Sequence, residues 1–372
     1  MGTEYTGHKE TERAVVSGLA VGAKEVSRIR RYETNDIARR ITVISPKDIR
    51  LTNYPLRHPV TAFNPSLYVE GDEVRLFMRV TVGYYRYASA IAFARLGLDT
   101  LLSGKEPVVL GEVKASLVVH PSTSYDIWGV EDPRVYSMDS KLYMTYTGRT
   151  ISYFDINSVG RTAPITAVSR DGGFTWKKSY IHLLPHGASS LVISDKNAFM
   201  YDVDGERMFF HRLHTVGGQF FTVISRVEES SRVGEEGLRE LVSKDTVVAI
   251  ERASFESKNG WAAPPIRLGR DYIVLLHGVD KRMSVYRVFA MLIEYSRSDG
   301  IVVKAVTPRY IMEPRELYEV YGDRPYVVFP CGVVRVDSTT LLLSYGAADQ
   351  FVGIAAIDLN ELLSELDRGR IY

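Results

Sequence analysis

The chain has 372 residues, of which 45% are hydrophobic, and its 46 basic and 45 acidic residues leave a formal net charge of +1 at pH 7. This balance gives no basic surface for nucleic acid, and no apolar run reaches the ~18 residues of a membrane-spanning helix. A single cysteine, Cys331, excludes an internal disulfide. We therefore expect a cytoplasmic protein that has neither nucleic acid nor membrane as a partner.

Residues 1–50 are predicted to form a helical extension. Apolar residues recur at helical spacing within residues 11–31, at Val15, Leu19, Val26 and Ile29. This segment carries an apolar stripe and precedes the first strand pattern. We expect it to contribute to a homo-oligomer, for which a two-fold dimer is the default.

Strand patterns then dominate to about residue 357, and they repeat five times. In each repeat a polar or proline-bearing start leads into an apolar strand, a tight turn and a second apolar strand. The repeats have anchor residues that are 64 to 68 positions apart: Pro65, Pro133, Asn197, Pro265 and Pro330. A sustained period marks a repeat architecture, and such units are typical of β-propeller blades. The sequence predicts an all-β fold, with a five-bladed β-propeller over residues 51–372 and a short C-terminal helix at residues 359–366.

Three further segments have predictions of their own. Residues 228–245 are charged and are expected to form a surface excursion with a short helix. Residues 299–325 contain three prolines and predict a long connection, of the kind that often carries function. An Asp-box is formed by Ser169, Asp171, Gly173, Thr175 and Trp176. This motif caps a hairpin turn, so we assign it a structural role.

The second repeat opens with two adjacent carboxylates, Glu131 and Asp132, followed by Pro133 and Arg134. Because side chains alternate along a strand, one carboxylate is expected to face the channel while the other pairs with Arg134 or a backbone donor. The same tripeptide is also a common strand-entry turn. Its position at the edge of a repeat favours a functional role.

Basic residues occupy matching positions near the edges of the repeats. They are Arg79, Arg149, Lys196, His211, Arg212 and His277. Any one of them could pair with a carboxylate or cap a strand, but together they predict a bound anion, since a cluster of cations is costly to build with nothing to neutralise it. Guanidinium groups suit phosphate or carboxylate. We expect no metal and no organic cofactor, because neither metal-ligand spacing nor a glycine-rich phosphate loop is present.

These motifs, in this order and spacing, resemble glycoside hydrolase family 130, which contains five-bladed β-mannoside phosphorylases and related mannosidases. The similarity runs from about residue 51 to about residue 353. It includes Phe63-Asn64-Pro65, Gly129 to Arg134, Asp195-Lys196, His211-Arg212, Leu276-His277-Gly278 and Tyr345 to Asp349. No single motif is specific, but their order and spacing together are.

The resemblance implies inverting phosphorolysis of a β-mannoside, which releases α-mannose 1-phosphate and a shortened sugar. Asp132 would be the general acid, acting through the 3-hydroxyl of the mannosyl residue, and inorganic phosphate would be the nucleophile and co-substrate. By the same resemblance, the mannosyl unit would be held by Asn64, Arg79 and Asp349. Phosphate would be bound by Arg149, Arg161, Lys196 and His277. His211 would reach the acceptor sugar, and the substrate site would also include Glu131 and Arg212.

Two alternatives stay open. A β-mannoside hydrolase of the same fold would need a carboxylate base opposite Asp132, because water must be activated in an inverting reaction. Glu313, Glu316 and Glu319 are the candidates for that base. A non-catalytic, glycan-binding propeller would need neither the acid nor the basic residues. The acceptor sugar and its linkage are also left open by the sequence.

Overall fold

The structure is a computed structural model that describes residues 15–83, 87–104, 107–155 and 158–372. The strands are β1 Gly18–Leu19, β2 Ala38–Ile44, β3 Ile49–Leu51, β4 Thr61–Glu70, β5 Glu73–Thr81, β6 Ser89–Gly97, β7 Val113–Val119, β8 Val130–Met138, β9 Lys141–Arg149, β10 Thr162–Ser169, β11 Lys177–Leu183, β12 Val192–Val203, β13 Glu206–Thr215, β14 Phe220–Val233, β15 Arg239–Ile250, β16 Glu256–Trp261, β17 Ile266–Leu268, β18 Asp271–Asp280, β19 Tyr286–Ser296, β20 Gly300–Val306, β21 Val328–Arg335, β22 Thr340–Ala347 and β23 Phe351–Asp358.

Helices are few and short by comparison, so the all-β prediction is confirmed. They are α1 Ala23–Ile29, α2 Leu98–Leu101, α3 His186–Ser189, α4 Leu317–Val320 and α5 Leu359–Asp367, with 3₁₀ turns at Pro46–Asp48 and Glu235–Gly237. In the described part of the chain, no helix has the length and apolar character needed to cross a membrane.

Each predicted repeat begins one run of antiparallel strands, and the runs start at β4, β8, β12, β16 and β21. Four anchors lie inside the first strand of their run. Pro265 lies between β16 and β17, which pair one after the other with the same edge of β18. Among the described residues the second and third runs share one sheet, because β11 pairs in parallel with β15. Since those two runs are fused, the count of five blades stays a prediction.

Strand β5 shows why strands of this chain are apolar on both faces. Val74, Leu76 and Met78 point into one core cluster, where they meet residues of β22 and β23. Phe77, on the opposite face, belongs to a second cluster that it shares with β8 and β9. Because alternate side chains enter different cores, the first run packs between the second and the last. This closed packing is typical of a propeller.

The two ends of the chain meet in the last sheet. Strand β2 pairs antiparallel with β23, so residues 38–44 form the outer strand of the sheet that begins at β21. Closing the sheet with a strand from the other end of the chain covers an edge that would otherwise stay unpaired. The domain boundary at residue 50 stays a prediction, although this pairing draws residues before it into the strand-rich part.

The helix predicted over residues 11–31 is much shorter in the structure. Among the described residues of that segment, α1 is the only helix of at least one full turn. Strand β1 instead pairs in parallel with β15. The backbone hydrogen bonds to β15 stabilise an extended conformation more than the weak helical pattern of the segment stabilises a helix. Gly22 adopts φ 83° between β1 and α1. Ala23 and Val26 are fully buried in the chain's own core. That apolar face therefore does not support the homo-oligomer, which stays a prediction; residues 11–14 lie outside the described residues.

Two connections also differ from their predictions. Residues 228–245 are not a surface excursion with an α-helix. They form the end of β14 and the beginning of β15, which a 3₁₀ turn joins. Leu238 and Leu241 are buried there and hold the hairpin against the core. The connection predicted over residues 299–325 begins with β20 and becomes irregular only afterwards, around α4.

Two local predictions are confirmed. In the Asp-box, Asp171 Oδ1 accepts a hydrogen bond from Thr175 N at 3.0 Å, and Trp176 Nε1 donates to the carbonyl of Gly173 at 2.9 Å. At the other end of the chain, α5 covers the predicted tail helix. Asp358 is its N-cap and accepts hydrogen bonds from two backbone N–H groups of the first turn.

A buried ion pair ties the N-terminal segment to the fourth run of strands. Arg30 Nη2 lies 3.1 Å from Glu256 Oε1, and both side chains are 1% exposed. The hydroxyl of Tyr310 donates to the same carboxylate oxygen at 2.7 Å, and the Arg30 guanidinium lies 3.8 Å from the ring centre of Phe289. The charges of Arg30 and Glu256 therefore compensate each other inside the protein.

Replacing Arg30 by Met should leave Glu256 as an uncompensated buried charge. We expect Arg30→Met to lower the free energy of unfolding by about 3–5 kcal/mol, measured by guanidinium chloride unfolding followed by tryptophan fluorescence. The matched control is Arg31→Met, which changes the exposed neighbour and should alter stability by less than about 0.5 kcal/mol. Equal losses in the two variants would contradict the structural role of the pair.

Candidate active site

Three inner strands share the same irregularity. Strands β4, β8 and β12 each shift register near their N-terminal third. Inside these bulges, Asn64, Asp132 and Asn197 adopt φ values of 45°, 51° and 55°. Asn and Asp tolerate this left-handed conformation better than most residues. A bulge bends its strand and redirects a side chain, and here it turns all three side chains toward one cavity.

The cavity has a volume of about 330 Å³ and is lined by residues from all five runs and from the connections beside them. Its lining residues are Asn64, Arg79, Glu131, Asp132, Ser194, Lys196, Asn197, Arg212, His214, Phe220, Lys258, Tyr286, Arg324, Val327, Phe329 and Asp349. Most of the residues that the sequence predicted for the substrate site lie here. Arg149, Arg161, His211 and His277 do not line it.

Asp132 is held by two donors from the first run. Its Oδ1 accepts from Asn64 Nδ2 at 2.8 Å and from Arg79 Nη1 at 3.0 Å. Arg79 is itself fixed by Ser89, whose Oγ accepts from Arg79 Nε at 3.2 Å. Because both donors bind the same carboxylate oxygen, a proton on Asp132 would reside on Oδ2.

The prediction that Glu131 and Asp132 point in opposite directions is wrong, since both line the cavity. The bulge between them and Arg134 interrupts the alternation of the strand. Arg134 pairs with neither carboxylate: its Nη1 donates to the backbone carbonyl of Asp132 at 2.8 Å, and its Nε donates to the carbonyl of Ala262 at 2.9 Å. The fully buried guanidinium therefore fixes the bulge itself.

Glu131 is the buried counter-charge of the site. Lys196 Nζ lies 2.9 Å from its Oε2, Arg79 Nη2 lies 3.3 Å from its Oε1, and the Tyr153 hydroxyl donates to it. Burial alone would raise the pKa of Glu131, but the charges of Lys196 and Arg79 lower it below its ordinary value. The carboxylate thus stays ionised. Tyr153 was missed by the sequence interpretation because it lies in a loop without a repeat pattern.

Two of the arginines predicted for phosphate lie beside this group. The guanidinium of Arg149 lies 4.1 Å from the ring centre of Tyr153, and its Nε donates to the carbonyl of Ile151. Partial burial and the charge of Arg149 lower the pKa of Arg161. The Nε of Arg161 is buried with no hydrogen-bond partner among the described residues. These two arginines therefore repel each other near the Glu131 side of the cavity.

A further cationic group lies on the side of the third, fourth and fifth runs, and two of its members were not predicted. Arg212, Lys258 and Arg324 line the cavity there. Burial and the charges of Arg212 and Arg324 lower the pKa of Lys258 to about 7. Lys258 and Arg324 fall outside the two-stranded repeat pattern. The only sequence signal for Lys258 is that it precedes the anchor Pro265, as Lys196 precedes the anchor Asn197 of the previous run.

His277 and His211 are fully buried. Arg212 Nη1 donates to His277 Nε2 at 3.3 Å, and burial and the charge of Arg212 lower the pKa of His277 well below its ordinary value. The sequence predicts that His211 reaches the acceptor sugar, whereas its two ring nitrogens are hydrogen-bonded to Asp195 at 2.9 Å and Ser225 at 2.8 Å within the sheet. The alternation of β13 explains this, because adjacent residues face opposite sides.

Asp349 is the third carboxylate of the cavity. Burial raises its pKa to about 6, although the charges of Arg324 and Arg79 oppose the rise. Asp349 and Ala348 both adopt positive φ, at 50° and 49°, which turns the chain sharply after β22. Among the described residues, no group of three or more His, Cys, Asp or Glu side chains is placed to hold a metal ion.

Comparison with known proteins gives one consistent result. The family model described as beta-1,4-mannooligosaccharide phosphorylase matches residues 28–368. A beta-1,2-mannobiose phosphorylase of Thermoanaerobacter sp. (strain X514) is 27% identical over 332 residues, which are 83% of this chain and 96% of that protein. A 1,2-beta-oligomannan phosphorylase of the same organism is 23% identical over 329 residues, 84% of this chain and 98% of that protein.

Among solved structures, the beta-1,2-mannobiose phosphorylase of Listeria innocua, in complex with beta-1,2-mannobiose, has a TM-score of 0.63 at 18% identity. The match covers 87% of this chain and 96% of that one. At this identity the likeness shows the fold alone, and it confirms the propeller-like architecture of the chain.

The unusual environment of Lys258 leads to a pH-dependent prediction. After reductive methylation with ¹³C-formaldehyde, the Lys258 signal should titrate near pH 7, because burial and the neighbouring charges of Arg212 and Arg324 disfavour its protonated form. Ordinary exposed lysines titrate near pH ~10. An anion bound in the cavity should raise the pKa of Lys258, since an opposite charge favours the protonated form.

The Lys258 signal is identified by its loss in Lys258→Arg. If Lys258 titrates together with the exposed lysines in the ligand-free protein, burial and the charges of Arg212 and Arg324 do not lower its pKa.

Proposed function

Because the chain belongs to glycoside hydrolase family 130, we propose that it catalyses the inverting phosphorolysis of a β-mannoside, with inorganic phosphate as co-substrate. The observation that carries this proposal is the charge of the cavity. Five cationic side chains face three carboxylates there: Arg79, Lys196, Arg212, Lys258 and Arg324 against Glu131, Asp132 and Asp349. A site for a neutral sugar and water has no need of this excess, whereas phosphate does.

In this reaction Asp132 is the general acid. Its proton passes through the 3-hydroxyl of the mannosyl residue to the glycosidic oxygen as the bond to the anomeric carbon breaks. A phosphate oxygen forms the new bond from the opposite face, which inverts β to α. The proton that the new phosphate ester releases to solvent balances the one that Asp132 donates. Phosphate is already a nucleophile, so the reaction needs no carboxylate base.

Asn64 and Arg79 support this role of Asp132, because they bind Oδ1 and leave Oδ2 for the proton. We propose that phosphate lies on the Glu131 side of the cavity, where it contacts Lys196 and draws in Arg149 and Arg161. A bound anion would relieve the mutual repulsion of the two arginines. His277 would act only on the opposite side of the cavity, through Arg212, whose guanidinium it orients.

The hydrolase alternative is less well supported, because its candidate bases are engaged outside the cavity. Glu313 Oε2 pairs with Arg287 Nε at 2.9 Å. Glu316 caps α4. Glu319 is fully buried, and its Oε1 accepts hydrogen bonds from Arg40 Nε at 3.0 Å and from the Tyr345 hydroxyl at 2.7 Å. None of the three carboxylates lines the cavity.

The direct test is the phosphate dependence of mannoside cleavage. β-1,2- and β-1,4-linked mannooligosaccharides should release α-mannose 1-phosphate only when phosphate is present, as measured by chromatography of the products. The reverse reaction should release phosphate from α-mannose 1-phosphate when an acceptor is supplied. Cleavage at full rate without phosphate would identify a hydrolase and overturn the proposal.

Asp132→Asn should lower kcat about 10²- to 10⁴-fold, the usual contribution of general acid catalysis, with little change in sugar affinity. The amide keeps the hydrogen-bond acceptor for Asn64 and Arg79 but has no acidic proton. Steady-state phosphorolysis and a binding titration measure the two effects. The matched control is Asp139→Asn, in the exposed turn after the same strand, which should keep parental activity. A kcat of Asp132→Asn within tenfold of the parental value would exclude Asp132 as the acid.

Arg149→Ala should raise the KM for phosphate about tenfold to a hundredfold, since a hydrogen bond to a charged group contributes roughly 1.5–3 kcal/mol. The KM for the mannoside should change far less. Initial rates over a grid of both substrates separate the two constants. A parallel rise in both constants would show that the substitution disturbs Tyr153 and Glu131 rather than phosphate binding.

A further inference from the structure

Tyr153 lies in the connection that follows β9, beside the cavity but outside its lining. The side chain is half-buried. Its hydroxyl contacts the ion pair of Glu131 and Arg79, and its ring contacts Arg149. A residue in this place does not touch the substrate, so any effect on turnover must pass through these neighbours.

The hydroxyl of Tyr153 is bound inside the ion pair. It donates to Glu131 Oε1 and accepts from Arg79 Nη2 at 3.1 Å. Arg79 Nη2 also lies 3.3 Å from the same carboxylate oxygen, so the three groups close a triangle. Burial and the charge of Glu131 raise the pKa of Tyr153 above its ordinary value. The phenol therefore stays protonated at neutral pH and remains a donor to the carboxylate.

The triangle fixes the orientation of Arg79, which is a donor to the general acid. Nη1 of this guanidinium donates to Asp132 Oδ1 at 3.0 Å, and Nε donates to Ser89 Oγ at 3.2 Å. With Nη2 on Tyr153, each of the three nitrogens has a partner. Because a guanidinium is planar and rigid, a partner on each nitrogen selects one orientation, in which Asp132 is held through Oδ1.

The ring of Tyr153 holds a different arginine. The guanidinium of Arg149 lies 4.1 Å from the ring centre, and its Nε donates to the carbonyl of Ile151 in the same connection. Tyr87 supports the ring of Tyr153 from the side, with ring centres 5.7 Å apart and planes at 82°. Since an aromatic face attracts a cation, Arg149 is held beside the cavity before phosphate binds.

On the basis of the proposed function, we propose that Tyr153 is a positioning residue that serves the acid and the nucleophile separately. Its hydroxyl keeps Arg79 on Asp132, so the proton leaves from a carboxyl group that is fixed in place. Its ring keeps Arg149 in position for inorganic phosphate. Because the hydroxyl and the ring have different partners, the two contributions can be removed one at a time.

The test is steady-state phosphorolysis by the full-length protein and its variants, over a grid of mannooligosaccharide and phosphate concentrations. Tyr153→Phe removes the hydroxyl and keeps the ring. Its kcat should fall about tenfold to a hundredfold, as for a slightly misplaced catalytic group, while the KM for phosphate changes by less than about twofold. Tyr153→Leu should show the same fall in kcat and also a KM for phosphate raised about threefold to tenfold, because Arg149 loses the ring.

Tyr180 supplies the matched control. Its hydroxyl accepts a hydrogen bond from Arg239 Nη2, and that guanidinium lies 4.3 Å from its ring centre. Tyr180 thus makes the same kinds of contact, but on β11 and outside the cavity lining. Tyr180→Phe should keep the parental kcat and both parental KM values. A purely structural role of Tyr153 would appear as a lower Tm of its variants without the split between kcat and the KM for phosphate.

Three results would overturn the inference while leaving the proposed function intact. A parental kcat in Tyr153→Phe would exclude the role of the hydroxyl. A KM for phosphate in Tyr153→Leu no higher than in Tyr153→Phe would exclude the role of the ring. An equal rise in the KM values for phosphate and mannoside in both variants would show that the whole cavity is disturbed. Failure of the proposed function differs from all three, because the parent protein itself would then show no phosphate-dependent cleavage.

Discussion

The site depends on one buried guanidinium, that of Arg134. It donates to the carbonyl of Asp132 in the second run of strands and to the carbonyls of Trp261 and Ala262 in the fourth. The first contact holds the bulge in which Asp132 adopts φ 51°, a conformation that costs of order 1–3 kcal/mol for a residue other than glycine. The other contacts span the middle of the molecule. Arg134 thus fixes Asp132 in place and ties the second run of strands to the fourth.

Charge is distributed in the cavity according to the same geometry. Glu131 neutralises Lys196 and Arg79 on one side, so the cations there remain close together without a ligand. On the other side the only described carboxylate near Arg324 and Lys258 is Asp349, whose pKa is raised by burial to about 6. The Glu131 wall is therefore largely balanced within the protein, and the opposite wall carries more positive charge than Asp349 neutralises.

The sequence predicted those features that follow from the repeat. Asn64, Asp132 and Asn197 lie at or one residue before their anchors, so the repeat marks the positions of the bulges, although the bulges themselves were not predicted. Features that depend on packing between runs could not be predicted in this way. The apolar stripe of residues 11–31 gives no sign that β15 offers a place for a paired strand, and the adjacency of His211 and Arg212 conceals that they face opposite sides of β13. Lys258 and Arg324 act through neighbours that are distant in the sequence.

The parallel pairing of β11 with β15 joins two runs of the ring into one sheet. That sheet carries Glu131, Asp132 and Lys196, whereas Lys258 lies in the sheet of the fourth run and Arg324 in the connection that precedes β21. The carboxylates on one wall of the cavity therefore share a continuous ladder of backbone hydrogen bonds, and two cations of the other wall come from separate elements. A substitution at Lys258 or Arg324 thus changes one wall of the cavity without altering the ladder that holds Glu131 and Asp132.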